Sequence, residues 1–130
     1  MSFGQLIARW FRWRAKPLGV RGEAAAARYL RRKRYRIIGR RVAVARGDID
    51  LVAVDGQTVV IVEVKTRSSP AAGGAVAAVD EAKQNQLRRL AQLYVNQHGL
   101  MQYPVRFDVV AITWPAGTRR PQVEHYISAF

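Results

Sequence analysis

Cysteine is absent from the 130-residue chain, which removes disulfide frameworks, Cys-ligated zinc and thiol chemistry and suits a reducing, cytoplasmic compartment. Long apolar runs are missing too. Nothing approaches the roughly 18 residues of a membrane span, and residues 1–16 hold too many arginines for the apolar core of a signal peptide, so no stable membrane insertion is expected. No internal repeat, low-complexity segment or glycine-rich phosphate loop occurs. Of the two histidines, His125 belongs to no motif and is not expected to be catalytic.

Negative charge is what the first third lacks most. Residues 1–46 carry fourteen Lys and Arg against Glu23 alone, whereas residues 47–130 carry eight bases and eight acids, so the net charge of +13 belongs wholly to the N-terminal third. Solubility does not require such segregation. A one-sided basic field marks a polyanion partner, nucleic acid first and an anionic membrane surface second. The candidate contacts are Arg21, Arg28, Arg31, Arg32, Lys33, Arg34, Arg40, Arg41 and Arg46, with Arg67 beyond them.

The length suits one domain. Phe3, Leu6, Ile7, Trp10 and Phe11 recur at helical spacing among arginines, and Lys16-Pro17-Leu18-Gly19 ends the pattern. Residues 1–18 thus read as a basic amphipathic tail, and 19–130 as the domain. Within the domain, helical patterns cover about Val20–Arg34 and residues 75–98, with Gly99 as the stop of the second. Strand patterns cover Tyr35–Arg46, with a bend at Gly39, and residues 105–112, with Val123–Phe130 as an edge strand or tail. Residues 66–74 read as a loop.

The chemistry concentrates in residues 47–65. Gly47-Asp48-Ile49-Asp50-Leu51-Val52 and Val59-Val60-Ile61-Val62-Glu63-Val64-Lys65 flank an Asp55-Gly56 turn and read as a β-hairpin. A two-residue loop there pairs Asp50 with Ile61 and Asp48 with Glu63, and puts Asp48, Asp50, Glu63 and Lys65 on one face. A three-residue loop would separate them. Acid–lysine pairs at strand ends are often plain cross-strand contacts worth roughly 0.2–1 kcal/mol. Here, however, the strands are apolar on both faces, and adjacent carboxylates would repel. A hard divalent cation relieves that conflict: magnesium takes one or two carboxylates, here Asp50 and Glu63, and manganese can substitute for it. Such an ion could activate water against a phosphodiester while Lys65 orients that water or meets developing charge. Lys83 and Gln86 can face the sheet from the second helix, with Asp48 as a further accessory.

Asp50 followed after twelve residues by Glu63-Val64-Lys65 matches the signature of the PD-(D/E)xK nuclease superfamily. Gly22-Glu23, Ala26-Ala27, Tyr29-Leu30, Gly47-Asp48-Ile49-Asp50-Leu51-Val52, Val62-Glu63-Val64-Lys65-Thr66-Arg67, Lys83 and Arg106-Phe107-Asp108-Val109-Val110 resemble the YraN family of small predicted endonucleases. That family is similar in turn to archaeal-type Holliday-junction resolvases. The resemblance implies an α/β fold with a restriction-endonuclease-like mixed central sheet (αβββαβ) and helices on both faces. It also implies catalytic positions at Asp50, Glu63 and Lys65, joined by Glu23 from the first helix. Asp48 stands where the family more usually has glutamate, and Ile49 stands where the superfamily name places proline. The function expected is a metal-dependent DNA endonuclease or resolvase-like hydrolase acting on branched or nicked DNA, and a homodimer cutting two strands is compatible with it. The alternative is a non-catalytic nucleic-acid-binding module that retains the fold.

Overall fold

The computed structural model describes residues 18–69 and 74–130. The helix expected over residues 3–14 and part of the 66–74 loop lie outside them. Helix α1 (Leu18–Arg32) leads into β1 (Arg36–Val44), β2 (Gly47–Asp55) and β3 (Thr58–Arg67). A short α2 (Gly74–Ala77) and a long α3 (Glu81–Gln97) follow, then β4 (Val105–Thr113) and β5 (Gln122–Tyr126). The strands form one mixed sheet in the order β1-β2-β3-β4-β5. β3 and β4 pair in parallel, and the crossover between them carries α2 and α3; the other neighbours are antiparallel. The expected α/β architecture, a mixed sheet with helices on both faces, is present.

β3 is the centre because both its faces are covered. Val60, Val62 and Val64 pack with Ala26, Ala27 and Leu30 of α1, while Val59 and Ile61 pack with Leu87, Leu90 and Tyr94 of α3. The alanine run allows α1 to lie close to the sheet. Gly22 allows the closest approach, since a Cβ there would fall 1.8 Å from Thr66 Oγ1.

The elements differ from expectation in three places. α1 begins at Leu18, so Glu23 stands in its second turn rather than its first. The helix expected over 75–98 is interrupted before Glu81, because Asp80 is extended (φ −71°, ψ 171°) and its side chain accepts the Lys83 N–H at 2.8 Å, capping α3. Thr66 and Arg67 extend β3 instead of opening a loop. Gly99 ends α3 as expected, at φ +64°, and the bend at Gly39 is a register shift in the β1–β2 pairing. No helix among the described residues is long and apolar enough to cross a membrane.

β4 carries a fully buried acid, Asp108. It accepts four hydrogen bonds: two from Arg106 (Nε to Oδ1 and Nη2 to Oδ2, both 2.9 Å), one from His125 Nε2 (2.7 Å) and one from the Ser128 N–H (3.0 Å). Arg106 also reaches Asp55 and the Tyr35 hydroxyl, so the network ties β2, β4, β5 and the chain end together. Burial alone would raise the Asp108 pKa, but the bonds from His125, Arg106 and Ser128 outweigh it and hold it below the carboxylate range. Asp108→Ala should therefore cost about 3–5 kcal/mol, the usual cost of breaking a buried pair. An acid with a lowered folded pKa stabilises above its unfolded pKa of about 3.9 and loses that contribution as pH falls through the folded value. In urea titrations the deficit of the variant should be constant near neutrality and shrink below about pH 4.

Candidate active site

The β2–β3 pairing runs Leu51–Val62, Val52–Ile61, Ala53–Val60, Val54–Val59 and Asp55–Thr58. The two loop residues are Gly56 and Gln57, not Asp55 and Gly56, with Gly56 taking the positive φ of +61°. This two-residue shift in partner preserves the parity. It also corrects the pairing: Ile61 pairs with Val52 rather than with Asp50, and the ladder ends at Leu51–Val62, one step before Asp50 and Glu63.

The ladder parts at this step. The Val64 N–H donates to Asp50 Oδ2 at 2.8 Å, so a side chain occupies the place a backbone carbonyl would take in a continuing strand pair. On the other side of β2, the left-handed Arg41 (φ +48°) interrupts β1 between the Arg40–Leu51 and Val42–Ile49 pairs, across from Asp50. Backbone of this kind costs of order 1–3 kcal/mol at a non-glycine residue and collects at functional sites. The alternation of β2 reverses here as well. Leu51 and Ala53 pack toward α1, yet Ile49 packs toward α3. Gly47 also faces α3, where a Cβ would meet Leu90 at 2.8 Å and Gln86 Nε2 at 3.0 Å. Asp48, between them, is exposed; alternation turns it away from α3, its charge acts on Glu23 of α1, and it does not share the face of Glu63 and Lys65. The expected four-residue face is thus three, Asp50, Glu63 and Lys65, because strict alternation does not survive the irregularity at Asp50.

The two carboxyl groups are close enough for each to act on the other. Glu63 is only 6% exposed. Burial raises the pKa of both, and the charge of Asp50 raises Glu63 further. Lys83, from the first turn of α3, and Lys65, whose Nζ lies 3.5 Å from Glu63 Oε1, pull in the opposite direction without cancelling the effect. Lys83 is therefore close enough to act on both carboxyls. Gln86 faces Gly47 one turn further along α3. Glu23 approaches from α1, its pKa raised by burial and then by Asp50, but its carboxylate is 3.3 Å from Arg41 Nε. Among the described residues no three acids or histidines stand close enough to hold one ion, so Glu23 borders the Asp50–Glu63 pair without completing a triad. Sequence patterns included two glycines without showing their role in packing: Gly22 brings α1 onto Thr66, and Gly47 brings α3 onto β2.

The basic residues divide among several places. Arg40 and Arg41 lie near Glu23 on β1, and Arg46 lies beside Gly47, Gln86 and Arg89. Arg67 Nε donates to Thr113, and Arg21 stacks on Trp114 at 4.1 Å. Arg31 lies in the last turn of α1, Lys33 sits over the Tyr29 ring, and Arg34 follows in a left-handed turn. Arg28 and Arg32 line a cavity of their own.

The model of the family described as "Uncharacterised protein family UPF0102" matches residues 22–112. A UPF0102 protein of Geobacter sulfurreducens is 45% identical over 115 residues, which cover 88% of this chain and 89% of its own. The chain belongs to the UPF0102 family. UPF0102 proteins of Rhodopirellula baltica (45% over 116 residues, 87% of this chain and 70% of that one) and Symbiobacterium thermophilum (47% over 98 residues, 75% and 83%) are similar to it. This is the family that the YraN resemblance indicated, and the UPF0102 match spans Glu23, Asp50, Glu63, Lys65 and Lys83.

An acid whose folded pKa is raised binds more protons in the folded than in the unfolded state, so stability falls as pH rises from the unfolded value through the folded one. Glu63→Gln should therefore raise the melting temperature at pH 8 by a few degrees, about 1 kcal/mol. The gain should vanish below about pH 4, where both states are protonated. A variant that melts lower than wild type at pH 8 would contradict the strained-pair description.

Proposed function

We propose that this UPF0102 chain is a metal-dependent phosphodiester hydrolase of the restriction-endonuclease-like kind, acting on nucleic acid, with DNA, branched or nicked, as the first candidate. The observation that carries it is the Asp50–Glu63 pair: two desolvated carboxyls facing each other, flanked by Lys65 and Lys83, at the point where β2 and β3 separate. Structural acids gain partners that lower their pKa, as Asp108 does. Burial raises both members of this pair, and a divalent cation or a shared proton would relieve it.

The donor set fits a hard divalent ion. It is all oxygen, has no cysteine, and offers two carboxylates, as magnesium accepts when water and phosphate complete its shell. Asp50 and Glu63 would hold it, and it would supply Lewis acidity toward the phosphate and a more acidic bound water. The chain's own contributions follow from position. The Val64 N–H fixes Asp50 through Oδ2. Lys65 and Lys83 bring positive charge to the place where a phosphorane would gather negative charge. Arg40 and Arg41, beside Glu23, supply charge for the adjoining backbone of the polyanion. The absence of cysteine agrees with a cytoplasmic setting.

A non-catalytic binding module is the second reading. It is favoured by one observation, that Glu23 is paired with Arg41 instead of adding a third acid to the pair. Chelation separates the two. The hydrolase should cut branched or nicked DNA with magnesium or manganese and stop on adding EDTA. Glu63→Ala or Lys65→Ala should lower the rate by about 10² or more. Independently of activity, magnesium should raise the melting temperature of wild type but not of Glu63→Gln. If no DNA or RNA substrate is cut with either metal while salt-sensitive, EDTA-insensitive binding persists, the binding module is correct. If Glu63→Ala cuts as fast as wild type, the site is misassigned.

A further inference from the structure

On the α1 face, away from the carboxylate pair, a cavity of about 330 Å³ lies between α1 and the connection from β4 to β5. Arg28 and Arg32 line it from α1, Arg119 and Arg120 from the connection, and Tyr29 and Trp114 from the walls, with Lys33 over one face of the Tyr29 ring and Arg21 over one face of the Trp114 ring. No acid lines it, and none of the four arginines has a salt bridge among the described residues. Four guanidinium groups around one cavity repel one another, and an anion bound among them relieves that repulsion.

The cavity's shape and walls narrow the choice of anion. Its volume falls at the lower end of the roughly 300–1,000 Å³ of ligand cavities, which suits a nucleotide-sized group. A duplex presents its phosphates on a convex surface with the bases stacked inside. A concave cavity with aromatic walls and arginines accepts a nucleotide whose base is free to leave the stack. Planar guanidinium groups serve both halves of such a ligand, donating in pairs to phosphate and stacking on a base. We propose that this cavity is a second nucleic-acid site that holds one nucleotide of an unpaired strand, phosphate on the arginines and base against Tyr29 and Trp114, and that it rests on the nucleic-acid substrate proposed above. The substrate class is thereby narrowed to nucleic acid with an unpaired segment, such as a flap, a tail or the open centre of a branch. Two of the four arginines, Arg119 and Arg120, lie beyond residue 112, where the UPF0102 match ends.

Fluorescence anisotropy in EDTA, which prevents cleavage, tests this with a blunt duplex and with the same duplex carrying a single-stranded tail. The protein is wild type or the Arg119→Ala/Arg120→Ala double variant, both positions being exposed. Wild type should prefer the tailed duplex. The variant should lose about tenfold on it, within the range of one stacked, phosphate-bound nucleotide, and little on the blunt one. The salt dependence for the tailed duplex should flatten by about 0.7 for each phosphate that the variant leaves unneutralised. Equal losses on both ligands, or no loss, overturn the assignment. Adenosine monophosphate supplies the other source of the same chemistry. If it competes with the tail in wild type and not in the variant, the site is supported. If it binds while the tail adds nothing to duplex affinity, the cavity serves free nucleotides and the strand assignment falls. Failure of wild type to bind any nucleic acid would instead overturn the function proposed above, whereas wild-type binding unaffected by the variant overturns only the cavity.

Discussion

The hydrogen bond from the Val64 N–H to Asp50 Oδ2 is the constraint from which the rest of the site follows. It replaces a rung of the β2–β3 ladder with a side chain, and so lets the two central strands part while leaving no backbone donor unpaired at Val64. The opening admits two helices to one point. α1 arrives where Gly22 allows contact with Thr66, and α3 arrives where Gly47 allows contact with Leu90. Glu23 and Lys83 are thereby delivered to a pair of acids that belong to the sheet. A continued ladder would place β2 backbone against β3 at this level, and Asp50 would be one more strand-end acid facing solvent.

Much of this was legible in the sequence because alternation and turn length are local quantities. The shared face of Asp50, Glu63 and Lys65 needed only an even loop, and it survives although the loop is Gly56-Gln57, since moving every partner by two leaves parity unchanged. Asp48 was misplaced for a non-local reason. Its strand reverses alternation opposite Arg41, an arginine held at φ +48°, and no pattern within β2 signals what its neighbour's backbone does. The break at Asp80 carried a readable cap residue, but the helical periodicity on either side masked it. Arg28 and Arg32 were legible as basic contacts of the first third, but their meeting with Arg119 and Arg120 was not, because the two pairs are distant in sequence and only the packing of α1 beside the β4–β5 connection brings them together.

Asp108 and Glu63 sit on neighbouring strands of one sheet, almost equally removed from solvent, and they differ in what the fold does for them. Asp108 receives four donors, and its pKa is lowered in spite of burial. Glu63 faces another acid, has Lys65 at the long distance of 3.5 Å, and its pKa is raised. The same sheet can therefore satisfy a buried carboxylate, and it does so where the acid joins β2, β4 and β5. That it does not do so at Glu63 cannot be put down to a lack of donors in the sequence, since arginine is plentiful and Arg41 pairs with Glu23 instead. Folding stability alone would favour a neutral or fully paired residue at Glu63. A carboxylate pair whose pKa values are raised by burial, between two lysines and at the opening of the sheet, would be relieved by a positively charged ligand, and this is the physical ground on which the proposed hydrolase is preferred to the binding module.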